Sequence, residues 1–315
     1  RNTTVGKARN IAINSYLNTA PAQADAGTID DAGYGAATAT IVSGGGVSGV
    51  SIGANMAQAT NNAKGYAYIM DAAIGSAAAR SRIAINSYGC SNADASVAAG
   101  STVGIVGAGV NHVSSDASGV FDAFIDTKYA IYATSVDVKT LYAVNGTAVV
   151  SDGLVNVSLL TIKVNKADAD TSSASSAYIQ GSGSLNTTGA VKVTSTGTAT
   201  SRAYYRKPTI EISLIKVAYN EISAKLHSQQ SAYIDLASLI TGGSAVNITA
   251  TYNKDKNKSK PSAWAYLEDS VLSGGLASAH VHQLNALDES IVNAYYNARY
   301  DASGTNTSVG AMSIV

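Results

Sequence analysis

The chain has 315 residues, 46% of them hydrophobic and only 13% charged, with 29 Gly, 18 Tyr and 3 Pro. Lys plus Arg and Asp plus Glu both total 21, so the formal net charge is zero, which argues against a nucleic acid or an anionic lipid surface as partner. No apolar run approaches the roughly 18 residues that cross a bilayer, and a single cysteine, Cys90, excludes an intrachain disulfide or a cysteine-based zinc site.

Composition barely changes from end to end, so one continuous unit spanning residues 1–315 is expected, and its terminal MSIV reads as a strand cut from a longer chain. In chain order, the first element is IAINSY, residues 11–16, which recurs unchanged at 83–88. GVSIGANMAQA (49–59) follows, then Ala67-Tyr68-Ile69. The pair returns as GIVGAGVNHVSSDA (104–117) with Ala123-Phe124-Ile125, and as VSLLTIKVNKADA (157–169) with Ala177-Tyr178-Ile179. Two further copies are ISLIKVAYNEISA (212–224) with Ala232-Tyr233-Ile234, and HVHQLNALDESIVNA (280–294) running into Ala294-Tyr295-Tyr296. Successive aromatic tripeptides are 56, 54, 55 and 62 residues apart, so about five degenerate units of roughly 55 residues fill the chain.

Between these units lies VKVTSTGTATSRAYY (191–205), which alternates without a slip. Val191, Val193, Ser195, Gly197, Ala199, Ser201, Ala203 and Tyr205 share one parity, and Lys192, four threonines, Arg202 and Tyr204 the other. Period two means a strand with one buried face. A face of Gly, Ala and Ser has too little apolar area to hold two sheets apart as a sandwich core does. Hairpin dipeptides are sparse, which disfavours propeller blades. A β-solenoid resolves both points, because coils stack as parallel strands about 4.8 Å apart and small residues pack against their equivalents above and below. Each unit is then expected to hold two or three coils of about 18 to 27 residues, giving some 12 to 17 coils and a rod of roughly 60 to 80 Å.

Parity places most of the recurrent aromatics outside. Two columns are expected: Tyr68, Phe124, Tyr178, Tyr233 and Tyr295 from the tripeptides, and Tyr16, Tyr88, Tyr204 and Tyr266 from an interleaved series. Tyr142 breaks the rule, sharing parity with Val136 and Val138. Such columns either shield strand backbones by stacking or form a contact stripe for a partner.

The segment Gly49–Ala59, the spaced AYI tripeptide and the V-x-V-x-S-x-G-x-A strand at Val191–Ala199 resemble the leukotoxin-type filamentous adhesins of bacteria, grouped with the filamentous haemagglutinin-like proteins of two-partner secretion. The resemblance implies a right-handed parallel β-helix on the cell surface. It also implies an extracellular stalk or fibre that contacts a host or neighbouring-cell surface through a glycan or a protein. Alternatives are a filament or sheath subunit that associates end to end, and a glycan-binding or glycan-cleaving β-helix.

Catalysis of the last kind needs clustered carboxylates on one outer face. Asp168 and Asp170 share a strand face and are the best candidates; Asp30-Asp31, Glu211, Glu221, Glu268-Asp269 and Asp288-Glu289 have no evident partner a coil away. Gly104–Gly109 is glycine-rich but lacks the Lys-Ser/Thr of a phosphate loop. His280 and His282 lie on one strand face without a third metal ligand in view, and Cys90 has no His partner in its motif. Lys254–Lys260, ending at Pro261, reads as a solvated turn. No enzyme activity, cofactor, metal site or membrane insertion is therefore expected.

Overall fold

The computed structural model describes residues 3–19, 36–240, 242, 245–253, 262–268, 272–274, 276–298 and 307–313. They form one all-β structure of parallel strands stacked in register, a β-solenoid, with no helix among the described residues. The first coil holds β1 (Thr3–Val5), β2 (Asn10–Leu17), β3 (Ala36–Val42) and β4 (Gly46–Met70). The second holds β5 (Ala72–Ile74), β6 (Ser81–Ala98) and β7 (Thr102–Asp126). β8 (Ala130–Ser151) and β9 (Val155–Thr187) make the third coil, and β10 (Val191–Arg206) and β11 (Ile210–Ile240) the fourth. The fifth comprises β12 (Val246–Tyr252), β13 (Ala263–Glu268), β14 (Leu272–Gly274), β15 (Ala277–Asp288) and β16 (Ile291–Ala298), and β17 (Thr307–Ser313) begins a sixth.

Each coil is a flattened loop with two faces. β2, β6, β8, β10 and β12 stack as the first face, and β4, β7, β9, β11 and β15 as the second. One repeat unit is therefore one coil, because residue 83 pairs with 136, 136 with 191 and 191 with 246. This corrects the expectation of two or three short coils per unit. Strands of 25 to 33 residues run the whole width of the molecule, so five coils rise only about 24 Å at ~4.8 Å each, not 60 to 80 Å.

The inward parity read from VKVTSTGTATSRAYY holds: Val191, Val193, Ser195, Ala199, Ser201, Ala203 and Tyr205 are all buried. What fills the space beside such small residues is a few large rings from the same or a neighbouring coil. A Cβ on Gly197 would sit 2.1 Å from the Tyr142 ring below it, and one on Gly89 would sit 1.8 Å from Phe121. Tyr142 and Phe121 are fully buried and stack at 5.8 Å, which is why Tyr142 departs from the outward aromatics.

The interior changes character across its width. At one corner Ile69, Ile83, Ile125, Val136, Ile179 and Val191 form an aliphatic cluster. The middle packs Ala, Val and the buried rings. At the far corner it turns polar, where Asp152, Lys163, Glu211 and Lys216 form two ion pairs. Lys163 Nζ lies 2.6 Å from Asp152 Oδ2, and the Tyr205 hydroxyl donates to the same oxygen at 2.5 Å. Burial and the Asp152 charge push the Tyr205 hydroxyl well above its ordinary pKa, while burial pulls the Lys216 ammonium down. Beside this corner runs an asparagine ladder: Asn55 donates to Asn111 at 2.8 Å, Asn111 to Asn165 at 2.8 Å and Asn165 to Asn220 at 2.9 Å.

Two coils carry extra residues, and both carry them at the same place. Leu17 and Ala36 pair with Gly89 and Asn92, while Tyr252 and Ala263 are placed by Gly197 and Ser201. The second insertion accounts for the one long spacing of 62 residues, since the offset to β10 and β11 changes from 55 to 62 across it. Asn18 and Asn253 begin the insertions with φ of 54° and 51°, a left-handed conformation that Asn adopts more readily than other non-glycine residues. Their amides replace ladder bonds: Asn18 donates to Cys90 O at 3.1 Å, and Asn253 donates to Ala199 O at 3.1 Å and accepts from Ala199 N at 3.0 Å. The lysine run at 254–260, Pro261, Asp30, Asp31 and Asp269 lie outside the described residues.

Candidate functional site

With the interior filled, the candidate sites are three outer surfaces. The first is the aromatic column of the tripeptides. Tyr68, Phe124, Tyr178, Tyr233 and Tyr295 stack in sequence with centroids 5.0, 4.7, 4.9 and 4.7 Å apart and planes within 8° of parallel. The alternation puts Ala67, Ala123, Ala177 and Ala232 inward, so each ring must point out, and the register brings each onto the next. Each inner ring has both faces against its neighbours, so the column offers edges and hydroxyls, not open stacking platforms. Polar residues flank it: Gln180 donates to Asp126 at 2.8 Å, Asn297 to Asp235 at 3.0 Å, and the Tyr233 hydroxyl to Gln180 at 3.1 Å. Burial pushes the Asp122 carboxyl up to about 6, partly offset by the Ser176 amide that it accepts from, and raises the Tyr178 hydroxyl to about 12.

The second tyrosine series does not form a column. Tyr16 stacks on Tyr88 at 5.3 Å, but Leu141 and Thr196 occupy the next positions, whereas Tyr204 pairs with Tyr266 elsewhere on the face. Tyr88, expected to be exposed, is only 4% exposed. Although it points outward, Tyr16 covers one side of its ring, Leu141 packs with it, and the Lys139 ammonium sits 5.5 Å from its centroid. Tyr266 remains exposed and tilts against Trp264, while Tyr204 carries Arg206 at 5.2 Å.

The second surface is acidic. Asp168 and Asp170 do share a face, and Asp116 lies directly under Asp170, contrary to the expectation that no acid recurs a coil away. The unit length of 54 residues between these coils carried that signal. Burial and the Asp170 charge raise the Asp116 pKa. Lys166 bridges Asp168 at 3.3 Å and Glu221 at 3.2 Å, and His112 approaches Asp168 at 3.5 Å. This is an ion-pair network centred on Lys166, whose ammonium is held above its ordinary pKa chiefly by its hydrogen bond to Glu221. Among the described residues no group of three or more His, Cys, Asp or Glu is placed to hold a metal. His280 and His282 stack on Ala218 and Asn220, and their side chains lie outside the described residues. Cys90 is buried.

The third surface was not anticipated. At the start of the second face the strands turn a corner at Ile105, Leu159 and Leu214, where regular pairing is skipped and two successive residues point outward. Val47, Val103, Val157 and Ile212 form one outward column before the corner, and Ile52, Ala108, Ile162 and Val217 another beyond it. An apolar groove of about 580 Å³ runs between the first of these columns and the corner column of Ile105, Leu159 and Leu214. Val47, Ile52, Ile105, Leu159, Ile215 and Leu276 are each at least half exposed. Lys163 and Lys216 lie within these stretches, but their ammonium groups point into the polar corner.

Comparison with protein-family models, curated proteins and solved structures finds no match to this chain.

Proposed function

We propose that the chain is a structural and adhesive segment of an extracellular filamentous surface protein, a stalk presenting contact surfaces to a host or neighbouring cell through a glycan or a protein. The observation that carries this reading is the continuity of like residues from coil to coil, from the five stacked aromatics to the asparagine ladder. Such ladders couple every coil to its neighbours and leave outward positions free to vary. The role is non-enzymatic in this reading, supported by the use of Asp168 and Glu221 as partners of one lysine. Pulling on the two termini in an optical trap tests it. A load-bearing stalk unfolds in steps of one coil, each releasing about 190 Å of chain; smooth extension at low force overturns it.

A second reading is a subunit that assembles end to end. Among the described residues β4 pairs with β7 alone, and β15 and β16 with β11 alone, and a strand edge of this kind can template a further coil from another copy. Fibres with a ~4.8 Å axial repeat favour that subunit, and stable separate particles favour the stalk.

A further inference from the structure

We propose that the apolar corner of the second face is a side-to-side interface with a second copy of this chain. This goes beyond the stalk and does not depend on it. The face spans five coils, about 24 Å, and the eight residues from Val47 to Ala54 along the strand, about 26 Å, so it covers roughly 600 Å². A single patch of that size is at the upper limit of what monomers leave in water. Two copies placed face to face bury about 1,200 Å², the lower bound for a specific, stable interface.

Three properties point to an identical copy as the occupant. No outward position from Val47 to Ala54, or at its equivalents in the next three coils, carries a charge, so self-apposition meets no repulsion. The face is a groove walled by Ile105, Leu159 and Leu214, with the Ile52–Ile162–Val217 column on the other side of that corner. A two-fold axis parallel to the coil stack lays the Ile52–Ile162–Val217 column of each copy over the groove of the other. Finally, both surfaces share the ~4.8 Å corrugation of stacked strands, which lets side chains interdigitate coil by coil.

The same axis places the central column, which includes Leu160 and Ile215, against its own counterpart. Sedimentation at about 50 µM is expected to give a dimer for the native chain and a monomer for the Leu159→Glu, Ile215→Glu double variant, with unchanged circular dichroism. Gln58→Glu, exposed outside the face, is expected to remain dimeric. Should the double variant not fold, Leu160→Cys serves instead: oxidation is expected to link two copies, whereas Gln58→Cys is not, and the native Cys90 is buried. A native chain that sediments as a monomer, a folded double variant that stays dimeric, failure of Leu160→Cys to cross-link, or a monomer that binds neutral lipid vesicles through this face overturns the proposal.

Discussion

Gly89 and Gly197 show how single residues set the interior of this molecule. Each lies where a buried ring, Phe121 from the opposite face of the same coil or Tyr142 from the coil below, occupies the volume of a side chain, so the glycine is a seat for the ring. Gly89→Ala forces Phe121 to move in a packed core and is expected to cost about 1–3 kcal/mol in chemical denaturation. Phe121→Leu in the same chain is expected to relieve part of that cost, giving a non-additive double-mutant cycle. Asp122 makes a different residue-scale prediction. Its folded pKa of about 6 exceeds the ordinary 3.8, so the folded state binds the extra proton between those values. Stability from this group is therefore fullest below about pH 4, falls as pH rises through about 6, and stays reduced above. Asp122→Asn keeps the oxygen that accepts from Ser176 and removes the ionisation. Thermal melts are expected to show a higher melting temperature than native at pH 7.5 and little difference at pH 4.

At the scale of elements, stability rests on ladders, whose inner members matter more than their ends. Asn165 is buried between Asn111 and Asn220, and removing its side chain breaks the hydrogen bond on each side within a buried ladder, so Asn165→Ala is expected to cost about 2–4 kcal/mol. Asn55 ends the ladder in a less buried setting, and Asn55→Ala is expected to cost about 1 kcal/mol or less by the same denaturation measurement. The strands themselves were legible in the sequence because alternation is a local property: the parity of residues 191–205 and the outward turn of the AYI aromatics both follow from period two. Which residues stack was legible only where one motif recurs at constant spacing. The tripeptide column could be read off directly, whereas Tyr88 and Tyr204 look alike in sequence yet belong to different columns, since nothing local reveals register. The length of a coil is hidden in the sequence for a related reason. Period two does not say how far a strand runs before it turns, and corners here cost only a skipped pair or a glycine. The apolar face is not legible in the sequence because inward and outward aliphatics look identical until the double-outward corner at Leu159 and Leu160 changes the parity.

For the molecule as a whole, the flattened coil fixes the relation between chain length and reach. Each 55 residues add about 4.8 Å of height, so a long stalk requires a very long chain, and breadth is gained in preference to length. Duplicating the third coil is expected to lengthen the particle by about 5 Å without changing its width, as small-angle scattering can measure. The polar corner tests cohesion between coils. Asp152→Ala leaves the Lys163 ammonium in a largely buried site and is expected to destabilise by about 3–5 kcal/mol, while adding Lys163→Met is expected to recover most of the loss in the same denaturation experiment.

Asn18 and Asn253 carry a last implication. A backbone that leaves the stack at this point hands its hydrogen bonds to one side-chain amide and rejoins three or four rungs-worth of residues later, with the pairing to the adjacent coil resumed. The solenoid thus has a natural splice point, repeated at the same azimuth in separate coils. Passenger peptides of differing length can be carried there along one line of the particle, provided each is introduced by an asparagine, and surface variety can accumulate without renegotiating the core.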